Sequence, residues 1–445
     1  MVQDRRLDRP ERTHGSPLVL RAAQLFDGAR AIEGATVVVD GSRVAAVERR
    51  PMEPPLDAHV LDFGDATLLP GLVDTHVHLG FDASTDPVGQ MAGDDDAALL
   101  LRMHLAARRS LAAGVTTVRD LGDRGYLSLA LRDWFRRGNE IGPEIVASGP
   151  PLTVTGGHCH FMGGQADDEG ELRRGVRERA TRGVDVIKVM VTGGNMTAGI
   201  SPLTPQYTVA ELAAVVDEAH RFGRPVTAHV HGVAGIERAV AAGVDGLEHC
   251  GFWVEDGVRA DQSLIERIAE QQIAVCPTAG VAPSSYPPPP PVASRLPAMM
   301  AAAGQMHRAG VRLLAGTDAG VAPVKPHGMT AYAVCELADK CGMSAVEALQ
   351  SATSWAAEAC GLAGRKGAVA AGADADILVA GGDALADLRA LHDVRAVFRA
   401  GALVPAEATP QGLVPTSPPA ALMAAPNREM DRSTISSLAV NEIRK

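Results

Sequence analysis

Aromatic residues are scarce in this 445-residue sequence, at 3%, and several features that define other protein classes are missing from it. The longest apolar runs, such as residues 97–101, are far too short to span a bilayer. There is no basic run and the formal net charge is −11, which argues against nucleic acid as a partner. Six scattered cysteines without a Cys-x-x-Cys motif are typical of reduced thiols in a cytoplasmic protein. The charged segment 1–16 has no apolar core, so no secretory signal is predicted.

The sequence does contain 46% apolar residues and an alternating pattern of short strands and helices through residues 66–362. Two of the helices are predicted to begin at capping boxes, Thr208 with Glu211 and Ser344 with Glu347. Eight βα units predict an α/β fold, a (β/α)8 TIM barrel, in which catalytic groups lie at the carboxyl ends of the strands. The eight predicted strands end near His76, Arg119, Ser148, Val191, Val230, His249, Pro277 and Thr317.

Strand patterns at both ends of the chain predict a second, smaller domain. Apolar-rich runs lie between residues 18 and 60, with a hairpin turn at Asp40-Gly41, and return at 372–379 and 394–400. We therefore predict a small β-sandwich domain from residues 17–65 and 363–404, flanking the barrel of residues 66–362. An N-terminal arm, 1–16, and a flexible C-terminal tail rich in Pro, Ala, Ser and Thr, 405–445, complete the predicted organisation.

Two histidines one residue apart end the first predicted barrel strand. Residues 72–78 read LVDTHVH, so His76 and His78 point to the same side of a strand and can reach one metal ion. A His-x-His pair by itself is also compatible with two unrelated histidines. The metal interpretation is strengthened by the later strands.

Lys188 lies inside the fourth predicted strand, VDVIKVMV at 184–191, which is otherwise largely apolar. Because an unpaired buried ammonium is costly, this lysine needs either an ion-pair partner or a chemical role. One role is a carboxylated lysine, since burial favours the neutral amine that adds carbon dioxide. The carbamate is a bidentate oxygen ligand that can bridge two cations.

Further ligand-type residues mark three later strands. The fifth strand ends in His229 and His231, which share one face, the sixth ends at His249 and the eighth runs into Asp318. Each of them alone is compatible with capping a helix or with satisfying a core polar group. Together with the first and fourth strands they indicate one metal site at the carboxyl ends of the barrel strands.

The arrangement resembles the amidohydrolase superfamily over about residues 18–401. The resemblance rests on GLVDTHVH at 71–78, on GADADI at 372–377 and on the split β-sandwich. The chain is most similar to prolidase-like, imidazolonepropionase-related members, which commonly carry TTVRD, as at 116–120, and GGH, as at 156–158. A homo-oligomer is suggested by this resemblance alone.

The resemblance implies two divalent ions, with Zn²⁺ as first candidate although such ligands also accept manganese, iron or cobalt. The first-strand histidines and the aspartate would hold the more buried ion, the fifth- and sixth-strand histidines the more exposed one, and a carboxylated lysine would bridge both. The implied ligands are His76, His78, Lys188, His229, His249 and Asp318.

The resemblance also implies a metal-dependent hydrolase of small-molecule substrates that cleaves an amide (C–N) bond by a metal-bridging hydroxide, first of all in a dipeptide or N-acyl amino acid. Asp318 would take the proton from the attacking water and pass it to the leaving amine. His158 would donate to the developing oxyanion, and His160 competes for that role because only Cys159 separates the two.

Substrate contacts are less defined by the sequence. His231 stands where similar relatives often have a Tyr. Arg119 is a candidate for binding a substrate carboxylate, or else for a salt bridge with Asp120 or Asp123. Tyr207 is a candidate pocket residue that core packing explains as well.

Three loops on the same face leave alternatives open. The glycine turn 193–195 suits close substrate approach or a tight structural turn. The loop 278–297, with prolines at 287–291, is either a partial lid or a surface excursion. Lys325 and His327 follow Asp318 as weaker candidates for substrate recognition.

Two other function classes stay open on the sequence alone. A mononuclear deaminase or ring-opening cyclic amidase, acting on a small nitrogen heterocycle, would use one ion. Lys188 disfavours it, and so does GVAG at 232–235, which has no acid where such deaminases often place a glutamate. A non-catalytic barrel is disfavoured by the complete ligand set.

Overall fold

The first and last β-rich stretches of the chain form two sheets, and one of these sheets combines early and late strands. The computed structural model describes residues 16–49, 52–55, 57–283 and 286–405. The early strands are β1 (Leu18–Arg21), β2 (Gln24–Phe26), β3 (Ala31–Glu33), β4 (Thr36–Asp40), β5 (Arg43–Glu48), β6 (His59–Asp62) and β7 (Thr67–Pro70). The late ones are β16 (Ile377–Ala380), β17 (Val394–Arg399) and β18 (Ala402–Leu403). One sheet has the order β5-β4-β1-β6 and the other the order β18-β17-β16-β7-β2-β3.

Both terminal sheets contribute side chains to one apolar cluster, which includes Leu20, Val37, Leu68 and Phe398. The hairpin predicted at Asp40-Gly41 is confirmed, since β4 and β5 pair antiparallel around it. The antiparallel pairing of β16 with β7 joins the end of the chain to the residues that lead into the middle region. The early and late β regions are therefore connected by backbone hydrogen bonds directly before β8 (Leu72–Val77).

The middle region contributes parallel strands that alternate with helices, as the sequence pattern predicts. Its strands are β8 (Leu72–Val77), β9 (Val115–Asp120), β10 (Glu144–Ala147), β11 (Ile187–Met190), β12 (Val226–Gly232), β13 (Gly246–Val254), β14 (Gly257–Val258) and β15 (Ala274–Cys276). β10-β9-β8 form one parallel sheet, and β11-β12-β13-β15 form the parallel part of another. Isolated parallel bridges extend the sheet edges: Leu152 with Val189, Val275 with Leu313, and Val77 with Ala319.

The eighth predicted strand, ending near Thr317, is not a regular strand. Its segment pairs only through the isolated bridges at Leu313 and Ala319, although Leu314 N–H donates to the Val275 carbonyl at 2.8 Å. The backbone leaves the extended conformation at Asp318, whose φ is +58°. This left-handed residue interrupts the ladder at the point where the segment reaches the candidate site.

Twelve α-helices are described, and none of them is both long and apolar enough to cross a membrane. The capping boxes predicted at Thr208 and Ser344 are confirmed as the starts of α5 and α11. The predicted arm 1–16 and tail 405–445 lie, apart from Ser16 and Pro405, outside the described residues. The helices are α1 (Pro87–Gly93), α2 (Asp96–Ala112), α3 (Leu127–Arg136), α4 (Glu169–Arg182), α5 (Val209–Arg221), α6 (Val233–Ala242), α7 (Gln262–Glu270), α8 (Pro290–Ala293), α9 (Leu296–Arg308), α10 (Thr330–Cys341), α11 (Ala345–Ser351) and α12 (Ser354–Ala359).

Candidate active site

Three ligand-type side chains meet at the carboxyl end of β8. The Nε2 atoms of His76 and His78 lie 3.3 Å apart. Asp318 Oδ1 lies 3.5 Å from His76 Nε2 and 3.4 Å from His78 Nε2. Ligand atoms around a tetrahedral ion, with bonds of about 2.1 Å, are separated by about 3.4 Å. The three side chains are therefore spaced to hold one divalent ion.

A buried carboxylate behind this group orients His76, and the sequence analysis missed it. Glu248 Oε2 lies 2.8 Å from His76 Nδ1, which leaves Nε2 free to face an ion. Glu248 Oε1 accepts hydrogen bonds from Thr227 Oγ1 at 2.6 Å and from Arg119 Nη2 at 2.9 Å. Burial raises the pKa of Glu248, but the charges of Arg119 and His76 outweigh burial and lower it. The available signal was an acidic residue inside an apolar strand, directly before His249.

Three imidazoles form a second cluster at the ends of β12 and β13. The ring centroid of His229 lies 4.8 Å from that of His231 and 4.7 Å from that of His249. His249 Nδ1 lies 3.0 Å from Thr278 Oγ1, and His229 Nε2 lies 3.1 Å from the Gly193 carbonyl oxygen. Each of these two rings keeps its other nitrogen available as a ligand. Ligand nitrogens of all three rings lie within 4.8 Å of one another, which makes the cluster a candidate site for a divalent ion.

Lys188 is fully buried, and the described residues offer its amine nitrogen no hydrogen-bond partner. Its charge acts on His76 and on His229, one from each cluster, so it lies within electrostatic reach of both. Burial lowers the pKa of the Lys188 amine. The ion pair that was the structural alternative for this lysine is not formed within the described part of the chain. An orphaned amine beside two imidazole clusters fits a binuclear metal centre.

Burial holds five imidazoles of the site in their neutral form. Burial lowers the pKa of His76 and of His231 to about 4, and that of His158 to about 3. Burial also lowers the pKa of His229 and of His249 well below the ordinary value. Because a neutral imidazole is the metal-binding form, the cluster is ready to bind ions at neutral pH.

Strained backbone conformations and a closely packed glycine occur around these groups. His249 has a φ of +65° and Asp318 a φ of +58°, a conformation that costs about 1–3 kcal/mol and clusters at functional sites. A Cβ on Gly194 would lie 2.5 Å from His158 Nε2 and 2.9 Å from His229 Nε2. The glycine turn 193–195 is therefore needed for close packing against the imidazoles, whatever else it contacts.

The cavity above the clusters measures ≈ 150 Å³ and brings together most, but not all, of the predicted site residues. Its lining includes all six predicted ligands together with His158 and His231. Pro288 and Pro289 also line it, so the proline-rich loop covers part of the site. A larger cavity, ≈ 370 Å³, opens elsewhere and is lined by residues at the starts of the strands, such as Val226 and Ala274.

Three residues predicted to contact substrate lie away from the cavity lining. Arg119 is bound to Glu248 rather than to Asp120 or Asp123, and its Nε donates to the Thr75 carbonyl at 2.7 Å. Tyr207 is buried in the core and donates its hydroxyl to a backbone carbonyl. His160 is exposed, because the left-handed Cys159, with a φ of +57°, separates it from the inward-facing His158.

The comparisons with known proteins agree with this site. Residues 67–404 match the model of the amidohydrolase family. The chain is 30% identical to ochratoxinase of Aspergillus niger over an alignment of 372 positions, and the match covers 74% of this chain and 73% of that protein.

Solved structures are similar over most of the chain. A Xaa-Pro dipeptidase with bound methionine in its active site has a TM-score of 0.77 and 30% identity, covering 87% of this chain and 100% of the dipeptidase. A prolidase complexed with N-methylphosphonate-L-proline has a TM-score of 0.75 and 28% identity, covering 87% of this chain and 99% of the prolidase. The chain therefore belongs to the amidohydrolase family and is a hydrolase that acts on carbon–nitrogen bonds.

Proposed function

We propose that this protein is a binuclear metal-dependent amidohydrolase that cleaves the amide bond of a dipeptide or an N-acyl amino acid. The observation that carries the proposal is the buried, unpartnered amine of Lys188 beside two histidine clusters. A single-ion enzyme has no use for such a lysine. A purely structural lysine would have an ion-pair or hydrogen-bond partner at this depth.

The six ligands divide between two ions, with Zn²⁺ as our first candidate. His76, His78 and Asp318 supply the more buried position, and their spacing of 3.3 to 3.5 Å suits one ion. His229 and His249 supply the more exposed position. Carbon dioxide would add to the neutral amine of Lys188 with loss of one proton, and Lys188 would then supply an anionic oxygen ligand between the two positions.

Two bound divalent ions supply a water that is acidic enough to ionise near neutrality, and they polarise the amide carbonyl. Asp318 accepts the proton of the attacking water and delivers it to the leaving amine. His158, which is neutral, donates a hydrogen bond to the oxygen of the substrate carbonyl as negative charge develops there. The ring centroid of His231 lies 4.7 Å from that of His249, in a stacked arrangement, and 4.6 Å from that of Trp253. From this place His231 contacts the substrate beside the more exposed metal position.

We further propose that the parallel strands close into a TIM barrel and that the two terminal sheets form a β-sandwich. Closure is supported by the bridge of Val77 to Ala319, which links β8 to the irregular eighth segment, and by the bridge of Leu152 to Val189. The sandwich is supported by the apolar cluster that both terminal sheets share. Such a barrel places every proposed ligand at one end.

The substrate class is supported by what the relatives act on or bind. One similar structure is a Xaa-Pro dipeptidase holding methionine, and another is a prolidase holding a phosphonate analogue of proline. Both proteins are named for dipeptide substrates. The first test is therefore a library of dipeptides and N-acyl amino acids.

The experiment measures metal content and activity on one preparation. Protein grown with added zinc and bicarbonate is analysed by plasma mass spectrometry and screened against the library. We expect two ions per chain, and we expect Asp318→Asn to lower kcat by about 10²- to 10⁴-fold on any hit, the usual scale of proton-transfer catalysis. One ion per chain with full activity would refute the binuclear site and move deamination or ring opening forward.

A further inference from the structure

Among the described residues, the cavity contains one cation that the proposed chemistry does not use. Lys325 lies in the loop after Asp318 and lines the same cavity as the proposed metal ligands. Its charge is within electrostatic reach of that of Asp318. A dipeptide or an N-acyl amino acid carries a free carboxylate next to the bond that is cleaved, and such a group needs a cationic partner.

The Lys325 ammonium is only partly satisfied by the protein. Nζ donates to the carbonyl oxygens of Thr278, at 2.7 Å, and Ala279, at 3.4 Å. Both acceptors are neutral, and Lys325 forms no ion pair with any carboxylate among the described residues. An ammonium has three N–H donors, so one donor remains for a ligand beside the two backbone acceptors.

The other cationic side chains near the site already interact with groups of the protein. The guanidinium of Arg119 lies against Glu248, outside the cavity lining. Arg295 lies over the ring of Trp253, 4.9 Å from its centroid, and donates to backbone carbonyls. In the proposed function Lys188 is the carbamate bridge. Lys325 is therefore the cation that remains for a substrate carboxylate in the described part of the cavity.

A carboxylate of the protein also lines the cavity, and its charge is compensated. Glu336 Oε2 accepts the Gly280 N–H at 2.8 Å, and Oε1 lies 2.8 Å from Lys340 Nζ. The bond from Gly280 connects α10 to the loop whose carbonyl oxygens accept hydrogen bonds from Lys325. Glu336 thus positions the loop at Gly280, and its own charge is paired with Lys340 rather than with Lys325.

Much of the wall of the same cavity is apolar, which indicates the kind of substrate side chain that the cavity accepts. The lining includes Met196, Trp253, Val281, Val292, Leu296 and Met299. Thioether and indole groups pack well against large or irregular apolar side chains. A small or charged amino acid would leave these surfaces without contact.

We propose that Lys325 binds the free α-carboxylate of the substrate, and that the enzyme prefers N-acyl amino acids or dipeptides whose carboxyl-terminal residue has a bulky apolar side chain. The inference rests on the proposed amidohydrolase function and adds the carboxylate subsite and the side-chain class. Lys325 is thereby a specificity-determining residue, distinct from the groups that move protons.

The test compares two substrates that differ only in charge: N-acetyl-L-methionine and N-acetyl-L-methioninamide, with acetate release as readout. Lys325→Met, of similar length but uncharged, is expected to lower kcat/KM for the acid about 30-fold or more relative to the amide, the scale of losing one buried charge partner. Lys325→Arg is expected to retain most of the preference for the acid. Arg389→Met, which removes an exposed cation paired with Asp387 and Asp339, is the matched control and is expected to leave the preference unchanged.

An equal loss on both substrates would show that Lys325 only holds the loop, and would overturn the inference. A separate measurement keeps the two proposals distinguishable. Binding of the acid and the amide to the Asp318→Asn protein is followed by calorimetry, with and without Lys325→Met. If the wild-type chain hydrolyses neither compound nor any member of the dipeptide and N-acyl amino acid library, the proposed function fails, while a lysine-dependent preference for binding the acid would still support the subsite and its absence would refute it.

Discussion

Replacing Lys188 by Met should stabilise the metal-free protein while abolishing its function. The amine is 1% exposed and has no hydrogen-bond partner in the described structure, so the folded state bears the full desolvation penalty of a polar group. Such an unsatisfied group costs about 1–3 kcal/mol, and Met has a similar volume and no polar atom. We therefore expect the free energy of unfolding of the apo-protein to rise by about 1–3 kcal/mol.

The assay is denaturant and thermal unfolding of protein stripped of metal and bicarbonate. With an unfolding entropy of about 2.1 cal/mol/K per residue, a unit of roughly 400 residues gains about 1–4 °C in Tm from this change. In the presence of zinc and bicarbonate the order reverses, because only the wild type forms the carbamate and gains stability from binding two ions. The variant should retain no more than one ion and lose nearly all activity.

Lys366 provides the matched control, since it is equally deep but paired. Its ammonium is bonded to Asp376 and lies 2.9 Å from Asp374 Oδ2. Lys366→Met removes a charged hydrogen-bond donor from Asp374 and Asp376, which keep their arginine partners, and is expected to lower the free energy of unfolding by about 1.5–3 kcal/mol. A loss of stability of more than about 1 kcal/mol in apo Lys188→Met would mean that Lys188 has a structural partner. Two ions and full activity in that variant would refute the bridging role.

Two further changes test the surroundings of the ions. Gly194→Ala places a methyl group 2.5 Å from His158 Nε2. We therefore expect at least a 10-fold loss of kcat/KM with an unchanged circular dichroism spectrum. Gly93→Ala is the control, because a Cβ there meets nothing within 4 Å, and it should leave kcat/KM within about twofold. Glu248→Gln weakens the hold on His76 and should lower zinc affinity about 10- to 100-fold in a competition titration with a chromogenic chelator; unchanged affinity would exclude this carboxylate from the metal site.

Local sequence signals predicted the elements that depend on neighbouring residues. The capping boxes at Thr208 and Ser344 and the turn at Asp40-Gly41 are correct because their hydrogen bonds close over three or four residues. The prediction of the eighth strand was less accurate, because no local sequence pattern indicates that Asp318 adopts a left-handed backbone conformation. Its conformation depends on bonds to a strand far away in the chain, such as the Asp318 N–H to the His76 carbonyl at 2.7 Å.

The sequence by itself determined which ligand-type side chains stand at strand ends, because alternation along a strand and side-chain chemistry are readable over a few residues. It did not determine their partners. Only the tertiary structure decided that Arg119 faces Glu248, that Lys188 has no partner among the described residues and that Lys325 lines the cavity. His76 and Glu248 are 172 positions apart in the chain and 2.8 Å apart in the fold. Contacts of that range depend on how whole strands and helices pack, which no local pattern specifies.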